Sequence, residues 1–175
     1  HGKEECWLIL DAEPGARIGI GFREELDTAT IRAAALGGSI EQLLGWYPVA
    51  AGDFFYIPAG TVHAIGAGIT LIEVQQNSDT TYRLYDYGRP RELHLDEGLA
   101  VALGTPHAAK HRQHVATDAS AILVDGPLFR LDHIAGIPAP GTATRYGDRP
   151  LLVIPTRAPI TIGGGTVIDP APTRP

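Results

Sequence analysis

The apolar run from Cys6 to Leu10 reads as an extended segment. Alternation places Glu5, Trp7 and Ile9 on one of its faces and Cys6, Leu8 and Leu10 on the other. A turn at Glu13-Pro14-Gly15 leads into a second predicted strand over residues 16–22. The period then changes. Residues 28–36 have helical spacing, with Asp27 or Thr28 as the cap and Gly37-Gly38 as the stop. Ser39-x-x-Gln42 has the form of a capping box and predicts a second short helix ending near Gly45.

Residues 49–74 read as a β-hairpin core. Its first strand is the apolar run Phe54-Phe55-Tyr56-Ile57, followed by a turn at Pro58-Ala59-Gly60. Proline fixes φ and glycine accepts the positive φ that tight turns need. The chain is expected to return as a strand beginning at His63, with a bend near Gly66 and Gly68. Residues 69–76 and 82–87 read as further strands, and residues 95–103 have helical spacing. Residues 104–119 are polar and rich in Ala and His, and are expected to connect. A hairpin is expected over residues 121–134 around Asp125-Gly126-Pro127, and another pairing residues 151–154 with 159–162. No repeat of fixed period is present.

Composition narrows the class. The 175 residues are 44% hydrophobic, enough for a core, while Gly 21 and Pro 14 suit short strands joined by tight turns. A net charge of −6 argues against nucleic acid or an anionic membrane as partner. No apolar run reaches the length of a membrane span. The single cysteine, Cys6, excludes an intrachain disulfide and favours a reducing compartment, hence the cytoplasm. The chain has no methionine and begins with His1, which predicts a fragment of a longer protein.

The spacing G-x5-P-x-G-x2-H, carried by Gly52, Pro58, Gly60 and His63, resembles the second motif of the cupins. Gly2-Lys3-x-Glu5-Cys6-Trp7 and the run from Glu73-x-Gln75-Gln76 through Ser78-Asp79 to Arg83 and Tyr87 extend the likeness. Together, from Gly2 to about Leu99, they resemble the type I phosphomannose isomerases. The resemblance implies an all-β cupin double-stranded β-helix, a jelly-roll barrel with a small helical insertion. The expected organisation is a barrel core over residues 1–104 with the insertion near 27–45. A connector over 105–119 and a second set of strands over 120–175 would follow.

The resemblance also implies metal-dependent interconversion of mannose 6-phosphate and fructose 6-phosphate, usually with one zinc ion. Glu5 and His63 match two of the family's metal ligands, and carboxylate and imidazole are suitable zinc donors. The family's other two ligands come from an upstream Q-x-H motif that this chain does not contain. His1 is a candidate replacement. On that basis zinc is expected to bind weakly and the 175-residue form to be a poor isomerase. Lys3 and Arg83 match basic residues of the family's active site, and Glu73 and Asp79 match acidic ones. Proton transfer between C1 and C2 through a cis-enediol needs a base and a positive charge to stabilise the enediolate. Lys3 and Arg83 supply the charge; Glu73 and Asp79 are candidates for the proton transfer. Arg89 and Arg91 are weaker candidates for the substrate phosphate.

The rival reading is a non-catalytic cupin that binds a sugar or sugar phosphate. Retention of Lys3, Glu5, Glu73 and Arg83 together favours the enzyme. His107, His111 and His114 would align on a helix and could bind zinc, but they lie away from every matched motif. Exposed strand edges make self-association a further expectation.

Overall fold

Strand β1 (Glu5–Ala12) is the centre of the fold, and its first five residues are all buried. The computed structural model describes residues 2–163 and 165–170. Residues up to Ala135 make one compact unit and those from Gly136 a second. In the first unit the chain continues through β2 (Arg17–Phe22), β3 (Leu44–Pro48), β4 (Asp53–Ile57), β5 (His63–Ile65), β6 (Ile69–Gln75) and β7 (Arg112–His114). One antiparallel sheet has the order β6-β1-β4-β7 and the other β3-β2-β5.

The register explains why β1 is apolar from Cys6 to Leu10. Trp7 pairs with Phe55 and with Glu73, and Glu5 pairs with Ile57 and with Gln75. Directly paired residues share a face. That inner face joins Trp7, Ile9, Phe55 and Ile57 to Ile18 and Ile20 of the facing sheet. Each buried Ile or Phe contributes about 1.5–3 kcal/mol relative to exposure, so this layer holds the two sheets together. The outer face, with Cys6, Leu8 and Phe54, is covered by Leu123 and Val124 of the hairpin β8 (Ala121–Asp125) and β9 (Arg130–His133). A strand covered on both sides has no place for an exposed polar stripe.

Helix α1 (Thr28–Gly37) starts where Asp27 accepts the Thr30 N–H at 2.7 Å and stops at Gly38, in the left-handed conformation. It packs with α2 (Ile40–Leu43) and α3 (Leu95–Val101) around Phe22, Ile31, Leu44 and Leu99. The architecture is therefore all-β with a small helical insertion, as expected. In the second unit, β10 (Ile160–Ile162) pairs with β11 (Thr166–Ile168).

Several expectations need correction. Strands β4 and β5 do not form a hairpin: β4 pairs with β1, whereas β5 pairs with β2. The Pro58–Gly60 turn carries the chain from one sheet to the other. The Ser39 capping box is not made, because Ser39 has ψ 2 rather than extended backbone and its side chain caps nothing. Residues 44–48 form β3 instead. Residues 82–87 are not a strand. They are held by a reciprocal pair in which His94 N–H donates to the Arg83 carbonyl at 2.8 Å and Arg83 N–H to His94 Nδ1 at 3.3 Å. The expected connector contributes β7 to the main sheet, and β10 pairs with β11 rather than with residues 151–154.

Candidate metal centre and active site

The turns at the two ends of β4 are built on glycines. Gly60 has φ 82, and a Cβ there would sit 2.4 Å from the Val101 carbonyl oxygen. Gly52 has φ 94, and its Cβ would fall 2.5 Å from the Val115 carbonyl. Both positions need left-handed backbone and close approach of another segment, which only glycine combines. Thr61 N–H closes the turn on the Pro58 carbonyl at 3.1 Å. Gly2 lies against Ala59, so the start of the chain leading into β1 is seated on the same turn.

This packing brings Glu5 and His63 together across the two sheets. Glu5 Oε1 lies 3.2 Å from His63 Nε2, and its Oε2 lies 3.0 Å from Lys3 Nζ. Lys3 also donates to Gln75 Oε1 at 2.7 Å. The Glu5 side chain is only 2% exposed, against 34% for His63 and 18% for Lys3. A buried carboxylate needs a positive partner, because removing its hydration is costly. The neighbouring Glu4 has the opposite environment, accepting from the Tyr56 hydroxyl.

The histidine is oriented from behind. His63 Nδ1 lies 2.9 Å from the Thr61 carbonyl, which can only accept, so Nδ1 carries the proton. The Trp7 ring meets the imidazole edge-on at 5.2 Å between centroids. In the neutral ring, Nε2 therefore presents a lone pair to the Glu5 carboxylate. Two acceptors at 3.2 Å repel unless a proton or a cation lies between them. A divalent metal suits this pair, and the backbone bond at Nδ1 is the usual support for a metal-binding histidine. The donors fit a metal in kind and supply two ligands. Among the described residues no group of three His, Cys, Asp or Glu side chains converges. His1 lies outside the described residues.

The other expected site residues are more dispersed. Glu73 lies on β6 opposite Trp7, two residues before Gln75, so both belong to the face that carries Glu5. Glu73 and Asp79 are exposed. Arg83 is part-buried, and its guanidinium donates to the Glu92 carbonyl at 3.1 Å. Arg91 and Arg89 engage Asp86, whose carboxyl is held below the usual range first by its hydrogen bond from Arg91. Burial pushes the Cys6 thiol up to about 12, against a backbone hydrogen bond with Val74, so it stays protonated. Gln75 escaped the sequence reading as a site residue. Its signal was the two-residue spacing from Glu73 on a strand, which places both on one face.

The three histidines do not share a helix. His107 is buried with Nε2 on the Tyr56 carbonyl at 2.8 Å, His111 ends a short 3₁₀ turn, and His114 faces Asp53 from β7.

No family model matches the chain. A mannose-6-phosphate isomerase of Streptococcus mutans serotype c is 41% identical over 136 residues, 73% of this chain and 43% of that protein. One from Bacillus subtilis strain 168 is 46% identical over 126 residues, 64% of this chain and 38% of its own length. The chain thus spans about two fifths of the relatives it matches. Among solved structures, the mannose 6-phosphate isomerase from Bacillus subtilis superposes with a TM-score of 0.61 at 32% identity. That match covers 75% of this chain and 44% of that one.

Proposed function

Starting from a chain that is a homologue of the mannose-6-phosphate isomerases over most of its length, we propose that it carries part of the catalytic barrel of such an enzyme. The reaction is the metal-dependent interconversion of mannose 6-phosphate and fructose 6-phosphate. The observation that carries the reading is the convergence of Glu5 and His63 at 3.2 Å from two different sheets. The proposed organisation is a barrel core with its helical insertion, and the work is done in the cytoplasm on a small sugar phosphate, without nucleic acid or membrane.

In this reading Glu5 and His63 hold zinc, which when bound supplies Lewis-acid polarisation of the sugar carbonyl. Lys3, bridging Glu5 and Gln75, places a positive charge beside the reacting carbons. Glu73, on the same face of the sheet, moves the proton between C1 and C2. Arg83 and Asp79 lie in the segment that follows β6. They serve the reaction if that segment closes over bound sugar, with Arg83 exchanging the Glu92 carbonyl for the developing enediolate oxygen.

The test is fructose 6-phosphate formation from mannose 6-phosphate, followed with a coupled reporter enzyme in the presence of zinc, in the 175-residue chain and in its Lys3→Ala and Glu73→Gln variants. Metal-dependent turnover that falls in both variants supports the isomerase. Binding of mannose 6-phosphate without turnover in any of them would favour the sugar-phosphate module.

A further inference from the structure

The Lys3–Glu5–His63 group lies toward one side of the sheets, on β1 next to the edge strand β6 in one and on the edge strand β5 in the other. The opposite margins, β7 and β3, hold a different constellation. Arg112 on β7 pairs with Phe55 and so shares the inner face with it. Its guanidinium lies 4.2 Å from the ring centre of Tyr47 on β3. A shallow concavity of about 240 Å³ opens at this seam, lined by Tyr47, Pro48, Asp53, Phe55, Arg112 and Gln113.

The guanidinium at this seam lacks the carboxylate that most of the bound cations among the described residues have. Lys3, Arg32, Arg89, Arg91 and Arg130 each meet a carboxylate. Among the described residues Arg112 has no ion-pair partner, and its Nε–H is buried without an acceptor. Asp53, the acid on the wall, is already engaged. One oxygen accepts the Ala50 N–H at 2.8 Å and the other faces His114 Nδ1 at 2.8 Å. The seam therefore offers unused donors beside two aromatic faces, Tyr47 and Phe55, whose centroids are 6.4 Å apart.

We propose that the seam between β3 and β7 binds the oxyanion of a small metabolite, a phosphate monoester or a carboxylate, on the guanidinium of Arg112. A planar guanidinium presents a fork of N–H donors that matches such an oxyanion in two-point fashion. The body of the ligand packs on Tyr47 and Phe55, and the Gln113 amide supplies a further polar contact at the rim. The proposal is independent of the isomerase reading, because it concerns the opposite margins of the sheets and its readout is not turnover.

Titration of the ¹⁵N-labelled chain with inorganic phosphate, glycerol phosphate and acetate, followed at the Arg112 Nε–H resonance, tests it. The expected result is a saturable shift centred on Arg112 and Gln113, weakened about tenfold or more in Arg112→Gln. Arg112→Lys keeps the charge and the stem while removing the fork, so it should fold and bind with intermediate strength. Saturation by the phosphates alone assigns a phosphate ligand, and saturation by acetate a carboxylate; either supports the site. Shifts that grow linearly without saturating, that centre on Lys3 instead, or that persist unchanged in both variants would overturn it.

Discussion

Replacement of Gly60 by alanine probes the turn that brings His63 to Glu5. Left-handed backbone costs an alanine about 1–2 kcal/mol, partly offset by about 0.4–1 kcal/mol from its stiffer unfolded chain. A Cβ at Gly60 would also sit 2.4 Å from the Val101 carbonyl, a backbone atom that cannot rotate away. Forcing extra volume into such a contact costs about 1–3 kcal/mol. The expected loss is about 2–4 kcal/mol in urea denaturation. Gly15→Ala is the control. Gly15 has φ 85 but nothing within 4 Å of the added carbon, so it should lose only about 1 kcal/mol. The difference between the two variants isolates the contact with residue 101. Equal losses would refute the claim that close approach, rather than φ alone, makes glycine necessary here.

Other outcomes follow from the same geometry. Asp27→Ala should lower the denaturation midpoint while Ser39→Ala leaves it unchanged, because only Asp27 makes a side-chain cap. Burial holds His107 below its ordinary value, and the charges of His111 and Arg112 push the same way against the bond to the Tyr56 carbonyl. Its folded pKa is depressed, so stability should be full above about pH 6.5 and decline as the pH falls below that value, where the unfolded chain takes up the proton first. Denaturation midpoints across that range, compared with His107→Gln, check the sign; a variant with the same slope would remove His107 as the cause. In the isomerase reading, Arg83→Ala should lower kcat by the equivalent of roughly 2.7–4 kcal/mol, by analogy with loss of one oxyanion donor, while the denaturation midpoint moves little. Unchanged kcat in the coupled assay would reject that role.

Local chemistry was legible from the sequence, and pairing was not. The alternation of β1, the Asp27 cap, the glycines of the turn and the Asp125-Gly126-Pro127 hairpin all follow from neighbours within a few residues. What failed depended on partners far away in the chain. Phe54–Ile57 and His63–Ile65 look like two arms of a hairpin, yet each finds its partner in a different sheet, with β1 and β2. Residues 82–87 carry the composition of a strand, but Leu84 is buried among the helices with Phe22 and Leu99 rather than in a ladder. The polar segment 112–114 hides a strand because one face of it carries a stem and guanidinium lying on Tyr47. Glu5 and His63 were named from motif spacing, and Gln75 required the β1–β6 register.

The account rests on Glu5 and His63 acting as a pair on a cation. Calorimetric titration of the metal-stripped chain with zinc, repeated in Glu5→Gln and His63→Gln, measures that directly. Two donors predict weak one-to-one binding that both substitutions abolish, with the His63 ring resonances shifting in the unmodified chain as zinc is added. Zinc binding that survives both substitutions, or that shifts His107 and His111 while leaving His63 unmoved, would contradict it.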